Sequence, residues 1–244
     1  MNSIGIIPAR YASTRFPGKP LADIGGKTMI RRVYEQASKS KLQQVLVATD
    51  DERILAEVKS FGGTVVMTGS QHLSGTDRCF EAYCTFNNPG DCIINIQGDE
   101  PFIKPEQINQ VLDCFMNPLT QIATLVKEIS TTEELLNVNT PKVVIDTQEQ
   151  AIYFSRQPIP YYRGATTNNW LGQHRYYKHI GIYGYRADIL EQITRLSPSQ
   201  LELAESLEQL RWLENGFKIK TALTTFENFG IDTPTDLEKA LSRL

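Results

Sequence analysis

Four short apolar runs, each followed by a helical pattern, constrain the first half of this chain most. "SIGIIP" (3–8), "QVLVATD" (44–50), "TVVMT" (64–68) and "DCIINIQ" (91–97) read as strands. Between and after them come "TMIRRVYEQASKS", "DERILAEVKSFGG", "TDRCFEAYCTF" and "PEQINQVLDCFM". The first places Met29, Ile30, Val33, Tyr34 and Ala37 on one face, and the second Ile54, Leu55 and Val58. Gly62 stops the second helix and Pro105 suits the first turn of the fourth. Strands joined through helices pair in parallel, and a parallel sheet needs helices on both of its faces. The order β-α-β-α-β-α-β therefore predicts an α/β fold with a mostly parallel sheet.

The second half is less regular. "KVVID", "AIYFS" and "HIGIYGYR" read as strands. Before the last of these lies "RQPIPYYRGATTNNWLGQHRY", about twenty residues without a period, a length that in a compact domain points to function or assembly. The stretch "SQLELAESLEQLRWLENG" reads as one helix, "KIKTALTTF" as a strand, and "DTPTDLEKAL" as the start of a last helix. There Thr233 can cap, Pro234 fits the first turn and Asp236 stands where a capping box wants an acid. No repeat or linker divides the 244 residues, which predicts one domain over 1–244.

Charge and cysteine usage exclude several classes. With 25 Lys and Arg against 28 Asp and Glu, the net charge of −3 argues against a nucleic-acid partner. No run is long enough for a membrane span, and no secretory leader is evident. Cys79, Cys84, Cys92 and Cys114 lack metal-knuckle spacing, and His72, His174 and His179 lack that of a helical metal pair. Free thiols of this kind suit a reducing cytoplasm.

Four places carry candidate chemistry. "IIPARYASTRFPGKPL" follows the first strand and holds Arg10, Arg15 and Lys19. It has neither the glycine spacing of a Walker loop nor that of a dinucleotide loop. Its cations stand where open α/β sheets bind ligands, so a side-chain phosphate clamp competes with a solvated basic turn. "INIQGDEPF" sets Gln97, Asp99 and Glu100 at another strand end, where carboxylates hold magnesium or simply make an acidic turn. "HLSGTDR" offers Ser74 and Arg78 beside a helix start, as a nucleotide contact or as a cap. "YFSRQPIP" puts Arg156 after a strand, and "KHIGIYGYR" sends His179, Gly181 and Tyr183 to one face.

In this order, together with "VATDD", "LEQLRWLENG" and "GIDTPTDLE", these stretches make the chain resemble the CMP-Kdo synthetases, the 3-deoxy-manno-octulosonate cytidylyltransferases, over nearly its whole length. The resemblance implies a Rossmann-like nucleotidyltransferase three-layer sandwich with an arm, 156–184, that serves dimer pairing and covers the sugar. It implies a cytoplasmic homodimer, dependent on Mg2+, that joins CTP and Kdo to CMP-Kdo plus pyrophosphate for lipopolysaccharide synthesis. By position it assigns Arg10, Ser13, Arg15, Lys19, Ser74 and Arg78 to CTP, with Arg10, Arg15, Lys19 and Asp99 catalytic. Asp99 and Asp232 become the metal carboxylates, and Gln97, Arg156, His179, Tyr183 and Glu208 the sugar contacts. Another acidic sugar, such as 8-amino-Kdo or a sialate, and a non-catalytic nucleotide or sugar sensor are the alternatives.

Overall fold

The computed structural model describes residues 1–12, 16–86 and 90–242. Strand β1 (Ser3–Ala9) lies parallel between β2 (Gln44–Thr49) and β4 (Cys92–Asn95), with β3 (Val65–Met67) parallel on the far side of β2. This half of the sheet is the one that the sequence pattern predicts. Beyond β4 the sheet changes sense. Strand β8 (Tyr177–Arg186) runs antiparallel to β4 and to β5 (Ile122–Glu128), and β9 (Ile219–Leu223) pairs in parallel with β5. A hairpin of β6 (Lys142–Ile145) and β7 (Ala151–Ser155) branches from the start of β8. Among the described residues the nine strands form one mixed sheet.

Neighbouring residues of the central strands face opposite layers, as the two-residue period of a strand requires. Ile6 and Ile93 join a core with α3 (Gly75–Thr85), α6 (Ala187–Thr194) and Trp212 of α8 (Gln209–Glu214). Ile7 and Ile94 join another with α1 (Met29–Ala37), α2 (Glu52–Ser60) and α4 (Pro105–Asp113). The three-layer sandwich follows from that division. A smaller cluster of Ile24, Met29, Ile231 and Ala240 seats the last helix, α9 (Pro234–Leu241).

Two stretches depart from the sequence reading. The helix expected across 199–216 is two, α7 (Gln200–Glu205) and α8, broken at Ser206, whose φ of 51° is left-handed. No glycine or proline marks this break. Arg156 explains it: its guanidinium donates to the carbonyls of Glu205 (2.6 Å), Ser206 (3.2 Å) and Val138 (3.0 Å). Carbonyls freed by a helix end need such partners. The aperiodic stretch before β8 is held by its own small core. Trp170 stacks on Tyr176 and donates its indole N–H to the Ala165 carbonyl at 3.0 Å, with Ile129 and Leu135 beside them.

Gly184 shows how closely β8 is packed. A β-carbon there would come within 2.6 Å of Phe115, 2.8 Å of Val111 and 2.9 Å of Ile94. Overpacking of this kind costs about 1–3 kcal/mol. Chemical denaturation of G184A should accordingly give a lower midpoint than wild type with an unchanged slope.

Candidate active site

Parallel pairing puts the ends of β1 and β4 on one edge of the sheet, and the chain leaves both strands into a common cleft of about 250 Å³. Arg10 and Lys19 line it from the first loop, and Gln97, Gly98 and Asp99 from the second. Gly98 permits this approach, since a β-carbon on it would stand 2.8 Å from the Pro8 carbonyl oxygen. The N-terminus of α3 closes the cleft. Ser74 caps that helix by accepting from the Asp77 N–H at 3.1 Å, and it also lines the cleft. Free N–H groups at such a terminus favour an anion.

Arg78 lines the same cleft, but its charge is already engaged. One nitrogen donates to Thr68 Oγ1 at 2.6 Å and to the Gly69 carbonyl at 3.2 Å, and the other pairs with Asp50 at 2.9 Å. It shapes the wall more than it adds net charge. Ser13 and Arg15 lie outside the described residues.

Asp99 and Asp232 converge. The Lys19 ammonium lies 2.7 Å from Asp99 Oδ2 and 3.1 Å from Asp232 Oδ1, so one small cation already spans both carboxylates. Two devices bring them together. The Ile231 N–H donates to the Asp99 carbonyl at 2.9 Å, docking the last segment on the GDEP turn. The capping box expected at Thr233 is present, and Asp236 Oδ2 accepts from the Thr233 N–H at 3.0 Å and the Asp232 N–H at 3.2 Å. Magnesium takes hard oxygen donors, commonly one or two protein carboxylates with substrate phosphates and water. This pair fits that chemistry. Among the described residues no cluster of three or more Asp, Glu, His or Cys groups offers a fuller protein cage.

A second hollow adjoins the cleft and shares Gln97, Asp99 and Asp232 with it. His179, Gly181 and Tyr183 of β8 line it, as the strand period predicts, and Glu208 faces them from the segment after the Ser206 break. Sequence reasoning gave no role in it to Glu100, Gln209, Ser206, Leu207 or Gly230. Glu100 was within reach, being next to Asp99 in the same turn. Gln209 was not, since it reads as helix interior. Tyr183 Oη, Glu100 Oε2 and Gln209 Nε2 have no hydrogen-bond partner in the protein, although these side chains are only 4–8% exposed. Buried polar atoms are rarely left so, and all three belong to side chains that line this hollow. Burial, with the charge of Asp99, pushes the Glu100 carboxyl up to about 8, against the Asn228 amide that donates to it at 2.9 Å. Burial raises the Glu208 carboxyl too, although Thr76 donates to it at 2.9 Å.

Arg156 stands apart from the other residues expected at the sugar. It lines neither hollow, because its guanidinium is turned to the three carbonyls described above. It shapes the hollow indirectly, by holding the break that presents Glu208. The 156–184 stretch likewise reaches the hollow only through β8; among the described residues none of 157–176 lines it.

His179 packs against the edge of Phe154 and beside Tyr183, and its Nε2 lies 3.0 Å from Thr124 Oγ1. That hydroxyl has one hydrogen and faces the Ile180 and Ile182 carbonyls at 3.2 and 2.7 Å. Carbonyls only accept, so the hydroxyl donates to one of them and accepts from Nε2–H, which assigns the Nε2 tautomer. Burial lowers the His179 pKa to about 3. Between there and its ordinary value of 6.5, the unfolded chain binds more protons at this site than the folded one. Stability should therefore fall as pH drops through that window, and H179N should flatten the fall in denaturation series from pH 7 to pH 4.

A family profile for cytidylyltransferases matches residues 4–219. The 3-deoxy-manno-octulosonate cytidylyltransferase of Parabacteroides distasonis is 61% identical over 248 aligned residues, covering 100% of this chain and 98% of its own. The protein of the same name from Cytophaga hutchinsonii is 62% identical, with 96% and 94% covered. Among solved structures, a CMP:2-keto-3-deoxy-manno-octonic acid synthetase complexed with CTP superposes with a TM-score of 0.93 at 43% identity, covering 100% of this chain and 98% of that one. With that fold and that degree of identity along its full length, the chain belongs to the cytidylyltransferases, in the family of 3-deoxy-manno-octulosonate cytidylyltransferases.

Proposed function

We propose that this protein couples CTP and Kdo to CMP-Kdo and pyrophosphate, and so activates Kdo for lipopolysaccharide synthesis. The observation that carries this reading is the shared wall of the two hollows. The cationic cleft and the polar second hollow meet at Gln97, Asp99 and Asp232, where a nucleotide phosphate and a sugar hydroxyl must come together to react.

Both substrates are anions, so neutralisation comes first. Arg10, Lys19 and, from the first loop, Arg15 and Ser13 hold the triphosphate, with Ser74 and Arg78 at the nucleoside side. Gln97, His179, Tyr183 and Glu208, joined by Glu100 and Gln209, orient the sugar. Its anomeric oxygen attacks the α-phosphorus in line. The new O–P bond forms as the bond to the β-phosphate oxygen breaks, pyrophosphate leaves, and the hydroxyl proton passes to solvent. Lys19 and Arg10 stabilise the charge that gathers on the phosphoryl and leaving oxygens. Asp99 and Asp232 would hold Mg2+, which would supply charge neutralisation and a lower hydroxyl pKa. His179, protonated only near pH 3, is a poor base at neutral pH and serves to orient.

The ligand-free pairing of Lys19 with both carboxylates supports the metal assignment. We read the ammonium as a counter-ion that keeps the pair together and turns to the triphosphate when metal is loaded. The cytoplasm, where CTP is made, is the compartment assigned, and a homodimer the assembly, with 156–184 at the contact. Tyr161 leaves most of its ring exposed in that stretch. No described helix is long and apolar enough to cross a membrane. Sedimentation that gives a monomer at assay concentration would reject the dimer.

Pyrophosphate release from CTP, measured with Kdo, 8-amino-Kdo and a sialate in parallel, tests the reaction and its sugar. We expect Kdo to be preferred, and turnover with another sugar alone would reassign the acceptor. D99N should fold normally and lose on the order of 10²-fold or more in kcat. Wild-type release by D99N would remove Asp99 from the site.

A further inference from the structure

Gly181 lies within β8, a strand that pairs with β4 and β5 along other parts of its length, and glycine inside a strand is costly and needs a reason. Two ordinary reasons are absent. Its φ is outside the left-handed range, so the backbone does not demand glycine. Apart from its two chain neighbours, no heavy atom of the described residues lies within 4 Å of where its β-carbon would be, so packing does not demand it either. Gly184, three residues along the same strand, is the contrast, since there a β-carbon meets three core side chains below 3.0 Å. The register of β8 against β5 shifts at this point. Thr124 pairs with Tyr183 and Leu125 with Ile180, which leaves Gly181 and Ile182 as an unmatched bulge. The bulge sets Gly181 in the wall of the second hollow, with His179 and Tyr183.

We propose that Gly181 determines how bulky an acceptor the second hollow admits, because the space above its α-carbon is left for the ligand. This rests on reading that hollow as the acceptor site. A methyl group at 181 fills ligand space and no protein space. A valine fills more. The substitution should therefore act on the acceptor and spare both the fold and the nucleotide.

The test compares wild type, G181A and G181V by pyrophosphate release with Kdo varied at saturating CTP and then CTP varied at saturating Kdo. Thermal melting and calorimetric titration of CTP accompany it. Melting temperature and CTP affinity should match wild type in G181A, while the KM for Kdo rises about fivefold or more, and further in G181V. The CTP KM should not move. If wild type is active and both variants keep its KM for Kdo, the steric role is rejected while the reaction stands. If G181V loses CTP binding, G181A decides; loss of CTP binding in both makes Gly181 a structural residue and rejects the proposal. A wild type that releases no pyrophosphate with Kdo rejects the functional reading itself, and the acceptor role of this hollow with it.

Discussion

One backbone hydrogen bond, from the Ile231 N–H to the Asp99 carbonyl, joins the two parts of the chain on which the site depends. Asp99 stands in the turn that follows a central strand, whereas Asp232 stands in the last loop before α9. Without that docking, two negative groups would have little cause to approach each other. Three further contacts reinforce it. The Asn228 amide donates to Glu100, and the Gln107 amide donates in turn to Asn228 Oδ1 at 2.7 Å. The Ile231 side chain is buried with Met29 and Ala240. Lys19 then offsets the repulsion of the converged carboxylates. The pair is thus set up by packing and backbone geometry before any ligand arrives.

The legible part of the sequence was the part governed by local rules. β1 through α4 follow from apolar runs and helical stripes, and the α9 capping box from Thr233, Pro234 and Asp236. Strand β5 was missed. Within "QIATLVKEI" the apolar residues are interrupted by Thr124, whose hydroxyl is consumed by β8 carbonyls and His179, and that polar satisfaction is tertiary. The break at Ser206 was equally hidden, because it is stabilised by Arg156, distant in sequence. Arg156 was singled out from its place after a strand and its positive charge, but a guanidinium with five donors can be spent on the protein's own carbonyls.

Within the site, position on a strand end sufficed to select Asp99 and Gln97, and the even spacing in β8 brought His179 and Tyr183 together despite the bulge beside them. Asp232 came only from family resemblance, since nothing local in "GIDTPTDLE" distinguishes a ligand from a residue preceding a cap. Gln209 required coordinates, because what marks it is an unpartnered buried atom.

The common wall of the two hollows has a pharmacological consequence. Compounds aimed at a nucleotide pocket contend with the many other proteins that bind nucleotides, and compounds aimed at a sugar pocket are polar and weakly held. Here a tethered molecule could occupy both compartments across Gln97, Asp99 and Asp232 without a long linker. Its second half would bind at the effective concentration set by the first. Selectivity would then come from the pairing of two shapes, which an unrelated nucleotide site does not offer.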